Sequence, residues 1–130
     1  MKLRRTRLAA VGLGMAGLSL FASSGTAEAA SGMPYVGYGY QNIPAAVKCA
    51  QHFSNLFGGY RQPIFEDGKY GPETDWAIRK FQKRMVDIGR FPLDVDGIVG
   101  PATGRAMLKT AWDAGIQDAD YGRCWAALPS

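Results

Sequence analysis

Residues 67–82, DGKYGPETDWAIRKFQ, decide the fold, because a shortened copy, DGIVGPATGRAM, runs from Asp96 to Met107. The copies share their Asp, Gly, Gly, Pro, Thr and Ala at identical spacing, and each letter suits one step of a tight loop that turns into a helix. Asp67 and Asp96 can accept hydrogen bonds from the amides just after them. Gly68 and Gly97 permit positive φ, and Gly71 and Gly100 let the backbone turn closely. Pro72 and Pro101 then occupy the first helical position, where no amide hydrogen is needed. Thr74 and Thr103 fall in the first turn, where their hydroxyls can serve helix-start or loop groups. Tyr70 and Val99 can plug inward, and Ala77 and Ala106 leave room for another helix. Two equivalent DGxxGPxT loop-to-helix joints are expected.

Working outward, Thr74, Ala77, Ile78, Phe81 and Met85 form one helical stripe after the first joint, ending near Gly89. After the second joint, Ala106, Met107, Ala111 and Trp112 are expected inward. Upstream, Pro44 opens the series Ala46, Val47, Ala50, Phe53, Leu56 and Phe57, spaced as a helix that ends at Gly58 and Gly59. Residues 31–43, SGMPYVGYGYQNI, carry neither a helix nor a strand period and read as an irregular Gly/Tyr-rich arm. The tail from Gly115 to Ser130 has no clear element. The expected architecture is all-α: a small three-helix bundle over residues 44–130 with an irregular arm and tail.

The first thirty residues read as a secretory signal peptide. Lys2, Arg4, Arg5 and Arg7 precede an apolar run from Leu8 to Phe21, too short to cross a bilayer, and TAEAA supplies an A-x-A cleavage site at Ala27–Ala29. The general secretory route fits better than twin-arginine export, and with no Cys after the run no lipid anchor is expected. The mature protein is therefore expected outside the cell, free or on the wall, without a membrane span. Removing residues 1–30 leaves 11 Lys plus Arg against 10 Asp plus Glu, a net +1. The basic character of the full chain thus belongs to the leader, and bulk charge offers no ground for nucleic-acid binding. About one hundred residues remain, enough for one domain with a modest core. Cys49 and Cys124 both lie in the exported part, where an oxidising compartment favours a disulfide. Such a bridge contributes on the order of 4 kcal/mol in the chain-entropy model.

PxxVKxxQ in the first helix, then DGKYGPETDWAIRKFQ, then LDVDGIVGPATGRAM, resemble in content and order the peptidoglycan-binding domain 1 family over about residues 44–110. The resemblance implies a small three-helix domain that attaches secreted proteins, often cell-wall hydrolases, to bacterial peptidoglycan. CAQ in the first helix departs from the more usual LQ pattern, which suggests a subgroup that replaces a core contact with the Cys49 bridge.

Catalytic readings are weaker. A calcium loop at Asp94 and Asp96 fails, with Ile98 and Arg105 where oxygen ligands belong. His52 is the sole His, so no zinc site is expected, and Cys49 is expected to be bridged rather than nucleophilic. Glu66 and Glu73 are the only Glu residues of the mature part, and a chain this short leaves little room for a cleft holding a raised-pKa acid. No cofactor is expected. For a polymer of N-acetyl sugars and short peptides, aromatic rings and guanidinium groups are the fitting contacts. Trp76, Arg79, Lys80 and Lys83 share one face of the second helix, and Tyr60, Arg61 and Tyr70 can border it. The expected function is an exported, non-catalytic wall-binding module. The alternatives are a small wall hydrolase, or a partner or inhibitor that docks on a separately encoded hydrolase.

Overall fold

Pro44 at the first position starts α1, Pro44–Phe57, and the Gly58 amide closes it on the Ser54 carbonyl at 2.7 Å. Pro72 and Pro101 likewise start α2, Pro72–Asp87, and α3, Pro101–Asp113. A fourth helix, α4, spans Ala119–Ala127. The computed structural model describes residues 32–130, of which 33–130 form one compact unit; the signal-peptide reading of residues 1–30 lies outside the described residues. All named elements there are helices, and none is long and apolar enough to cross a membrane.

The expectation of a bundle of three helices needs enlarging, because the tail is helical. Asp118 caps α4 by accepting from the Tyr121 amide at 3.0 Å, and Cys124 and Leu128 turn inward, 3 % and 1 % exposed. The Cys49–Cys124 disulfide fastens α4 to α1 with Cα atoms 5.5 Å apart, across 75 residues of sequence. Helix α1 therefore lies at the centre and packs on each of the other three. Its Val47, Ala50 and Phe53 meet Ile78, Phe81 and Met85 of α2 and Met107, Leu108 and Ala111 of α3 in one core.

Two residues expected inside are outside. Leu56 is 48 % exposed and Trp112 is 51 % exposed. Leu56 lies next to Phe57 at the C-terminal end of α1, and of the two only Phe57 packs on the core. At Trp112 the inward place is taken by Ala111, a small residue that lets α3 lie close to its neighbours. The arm is irregular and is attached by a single backbone bridge, in which Val36 and Val99 exchange both hydrogen bonds, at 3.1 and 2.8 Å, and both are fully buried; Tyr38 adds an edge-on contact with Tyr70, ring centroids 5.0 Å apart.

The two corners are built around buried glutamines. Gln51 of α1, 1 % exposed, donates to Asp67 Oδ1 (3.0 Å), the Lys69 carbonyl (3.1 Å) and Thr74 Oγ1 (2.9 Å), and accepts from the Gly68 amide (2.9 Å). Gln82 of α2, fully buried, donates to Asp96 Oδ1 (2.9 Å), the Ile98 carbonyl (2.9 Å) and Thr103 Oγ1 (3.1 Å), and accepts from the Asp96 and Gly97 amides. Asp67 and Asp96 each accept from the amide two residues on. Gly68 and Gly97 have φ +75 and +77, a region that carries a steric cost for any side chain. Helices α1 and α2 thus each reach forward to clasp the loop that launches the next helix.

Candidate functional site

Trp76 stands one turn into α2, beside Ala77 and Ile78, which face the core, and is itself 43 % exposed. The ring of Tyr60 leans against it, centroids 4.8 Å apart, and Lys80 Nζ sits over it at 5.6 Å. Tyr60 is fixed from below: its hydroxyl donates to Asn55 Oδ1 at 2.8 Å, and Asn55 of α1 donates in turn to the Ile64 carbonyl and to Glu66 Oε1. Burial, reinforced by the Glu66 charge, pushes the Tyr60 phenol up to about 12, so the ring is neutral throughout the physiological range. Together these side chains form a half-exposed aromatic step with a cation at its edge. Such a surface suits an apolar C–H face that carries an acidic substituent.

The remaining residues expected on this face are placed differently. The Tyr70 hydroxyl donates to the Gly97 carbonyl (2.8 Å) and to Asp75 Oδ1 (3.1 Å), bridging the first corner to the second, and burial raises its pKa. Arg79 donates to Asp75 Oδ2 (3.0 Å) and to the Val95 carbonyl (3.1 Å), and its hydrogen bond to Asp75 holds its proton more firmly than usual. Lys83 pairs with Asp87 at 3.0 Å. Arg61 is exposed in the loop before the first corner. The structure thus brings Tyr60, Trp76 and Lys80 together, gives Tyr70 and Arg79 a bridging position between corners, and engages Lys83 with an acid on its own helix.

A cleft of about 450 Å³ lies between α1 and α4, with the disulfide cysteines and Lys48, His52, Glu66 and Arg123 among its lining. His52 Nδ1 is 3.1 Å from both Glu66 carboxylate oxygens. Glu66 is thus committed to His52 and Asn55, while Glu73 is exposed in the first turn of α2. Among the described residues no three His, Cys, Asp or Glu side chains converge as a metal-ligand set.

Gln51 and Gln82 carry the corners; each closes a quoted motif, PxxVKxxQ and DGKYGPETDWAIRKFQ, but neither is assigned a role from sequence. Their signal was a polar side chain on an apolar stripe: Gln51 follows Ala50, and Gln82 follows Phe81. A family model described as "Putative peptidoglycan binding domain" matches residues 46–107, which include all but the first two residues of α1, both corners, α2 and the first half of α3. No curated protein and no solved structure matches the chain.

Proposed function

Through residues 46–107 the chain belongs to the peptidoglycan-binding domain 1 family, and on that premise we propose that it is an exported, non-catalytic module that holds bacterial peptidoglycan on the Tyr60–Trp76–Lys80 step. The observation that carries this reading is the exposed Trp76 ring, propped by Tyr60 and topped by Lys80 inside the family-matched segment. In this reading the two DGxxGPxT corners are equivalent joints of a three-helix unit, α1 to α3, to which α4 is an addition. Their shared glutamine clasp and matching glycine conformation support that equivalence. The joints give the step its rigidity, because Asp75, the neighbour of Trp76, is tied to Tyr70 and Arg79. Export is supported by the leader sequence and by the disulfide, which persists in oxidising compartments.

Retention on insoluble, protein-free sacculi tests the assignment of the step. Trp76→Ala removes an exposed ring, so the fold should persist while retention weakens about two- to ten-fold, the worth of one aromatic contact. Lys80→Ala should weaken retention less, and the loss should shrink as salt rises. Retention equal to that of the unaltered protein in both variants would remove the step from the site. Release of soluble muropeptides during the incubation would replace the reading with that of a hydrolase.

A further inference from the structure

An apolar groove lies almost wholly outside the family-matched segment. About 800 Å³ in volume, it runs between α3 and α4, floored by Leu108 and walled by Trp112, Tyr121 and Trp125, with Arg105 and Lys109 on its rim. The three rings form a run, Trp112 to Tyr121 at 5.9 Å and Tyr121 to Trp125 at 6.4 Å between centroids. Trp112 and Trp125 are 51 % and 60 % exposed, whereas Tyr121 is half-buried and packs on the core. Two tryptophans left this open are not required by the core, which closes beneath them with Leu108, Cys124 and Leu128.

We infer that this groove is a second binding site, one that takes the sugar chain of the wall polymer: a β-linked chain of N-acetylated hexoses lying across Trp112, Tyr121 and Trp125. The inference rests on the peptidoglycan reading above and assigns its glycan part to a different surface. Three features favour a saccharide over another occupant. Successive tilted rings offer a ladder of flat apolar faces, which suits the C–H faces of consecutive pyranose rings better than a single anchoring side chain. The polar groups stand at the rim, where the hydroxyl and acetamido edges of such a chain project. The rim is also cationic in the sense the polymer requires. Lys109 is paired with Asp113 at 2.6 Å, but Arg105, one turn earlier on α3, has no acidic partner among the described residues and can meet a carboxylate of the peptide stem that the sugar carries. The disulfide helps to build the site, since α4 brings Tyr121 and Trp125 to Trp112 and is fastened in part by Cys124.

The test uses a soluble β-1,4-linked N-acetylglucosamine tetramer, which carries no peptide, beside whole sacculi. The chain has three tryptophans, so in Trp76→Phe protein the fluorescence reports Trp112 and Trp125 alone. The tetramer should shift that emission saturably. Adding Trp125→Ala should weaken the response about two- to ten-fold, and Trp125→Phe should largely restore it. Arg105→Gln, on the rim of the groove, should leave the response to the peptide-free tetramer unchanged and weaken retention on sacculi, whose peptide stems bear carboxylates. Thermal melting of each variant at the parent temperature shows that the fold is intact. Sacculi that retain the protein while the tetramer gives no saturable shift would overturn the groove assignment and leave the wall-binding reading standing. A saturable shift in a protein that sacculi do not retain would uphold the groove and defeat the wall-binding reading. A concentration-dependent dimer abolished by Trp125→Ala would assign the groove to a second copy of the chain and overturn the inference.

Discussion

Gln51 and Gln82 show how much one buried amide can carry. Each supplies both donor hydrogens and its acceptor oxygen to a loop whose polar groups would otherwise be buried without partners. Gln51→Leu keeps the approximate volume but strips Asp67, the Lys69 carbonyl, Thr74 and the Gly68 amide of their shared partner. It should cost about 2–4 kcal/mol, read by urea unfolding. A change within about 0.5 kcal/mol would mean that the loop holds itself. Asp67 adds a pH dependence. Its carboxylate accepts from the Lys69 amide and from Gln51, and these bonds favour the ionised form and lower its pKa. A lowered folded value means stability that is fully present above the ordinary carboxylate range and is lost as pH falls through the folded value. Asp67→Asn should therefore lose less melting temperature than the unaltered protein between about pH 5 and pH 2, and an equal or greater loss would contradict the assignment. The aspartates and glycines of the corners were legible as turn formers, since their roles are local. The glutamines were not, because a polar residue on an apolar stripe declares its partner only once the loop has folded over it.

Among the elements, α1 to α3 were legible because a proline start and a stripe at three- and four-residue spacing are properties of short stretches. Their inward faces follow that stripe except at Leu56 and Trp112, where a neighbouring residue takes the inward place. Helix α4 was not legible. It is nine residues long, holds a glycine at Gly122, and turns only Cys124 fully inward, so its stripe is too thin to separate from a loop. What holds it is tertiary: the disulfide, Leu128 in the core and the close passage of the following residues over α3. Gly104 of α3 marks that passage, because a methyl group there would collide with the Pro129 carbonyl. Gly104→Ala should destabilise the protein by about 1–3 kcal/mol despite the better helix propensity of alanine. Gly122→Ala, on α4 with nothing nearby to meet it, should be neutral or stabilising by up to about 1 kcal/mol. Thermal unfolding of the pair checks this, and equal effects would deny that the terminal strap lies against α3.

On the scale of the molecule, four helices share one small core, and the disulfide pins the fourth to the central helix, a bond worth on the order of 4 kcal/mol in the chain-entropy model. The all-helical class and the cysteine pairing followed from the chain alone. The candidate face was legible only in part. Trp76, Lys80 and Tyr60 meet, but Arg79 and Tyr70 serve the junction of the corners, a use that helical spacing does not reveal. The aromatic groove was hidden because its rings come from two helices, one of them unrecognised. Both surfaces serve the same proposed task, adhesion to the wall polymer. Co-sedimentation of the purified protein with increasing amounts of protein-free sacculi, at low and physiological salt, tests that claim most directly. The account predicts a saturable transfer of protein to the pellet that persists at physiological salt, and protein left wholly in the supernatant at every sacculus concentration would contradict it.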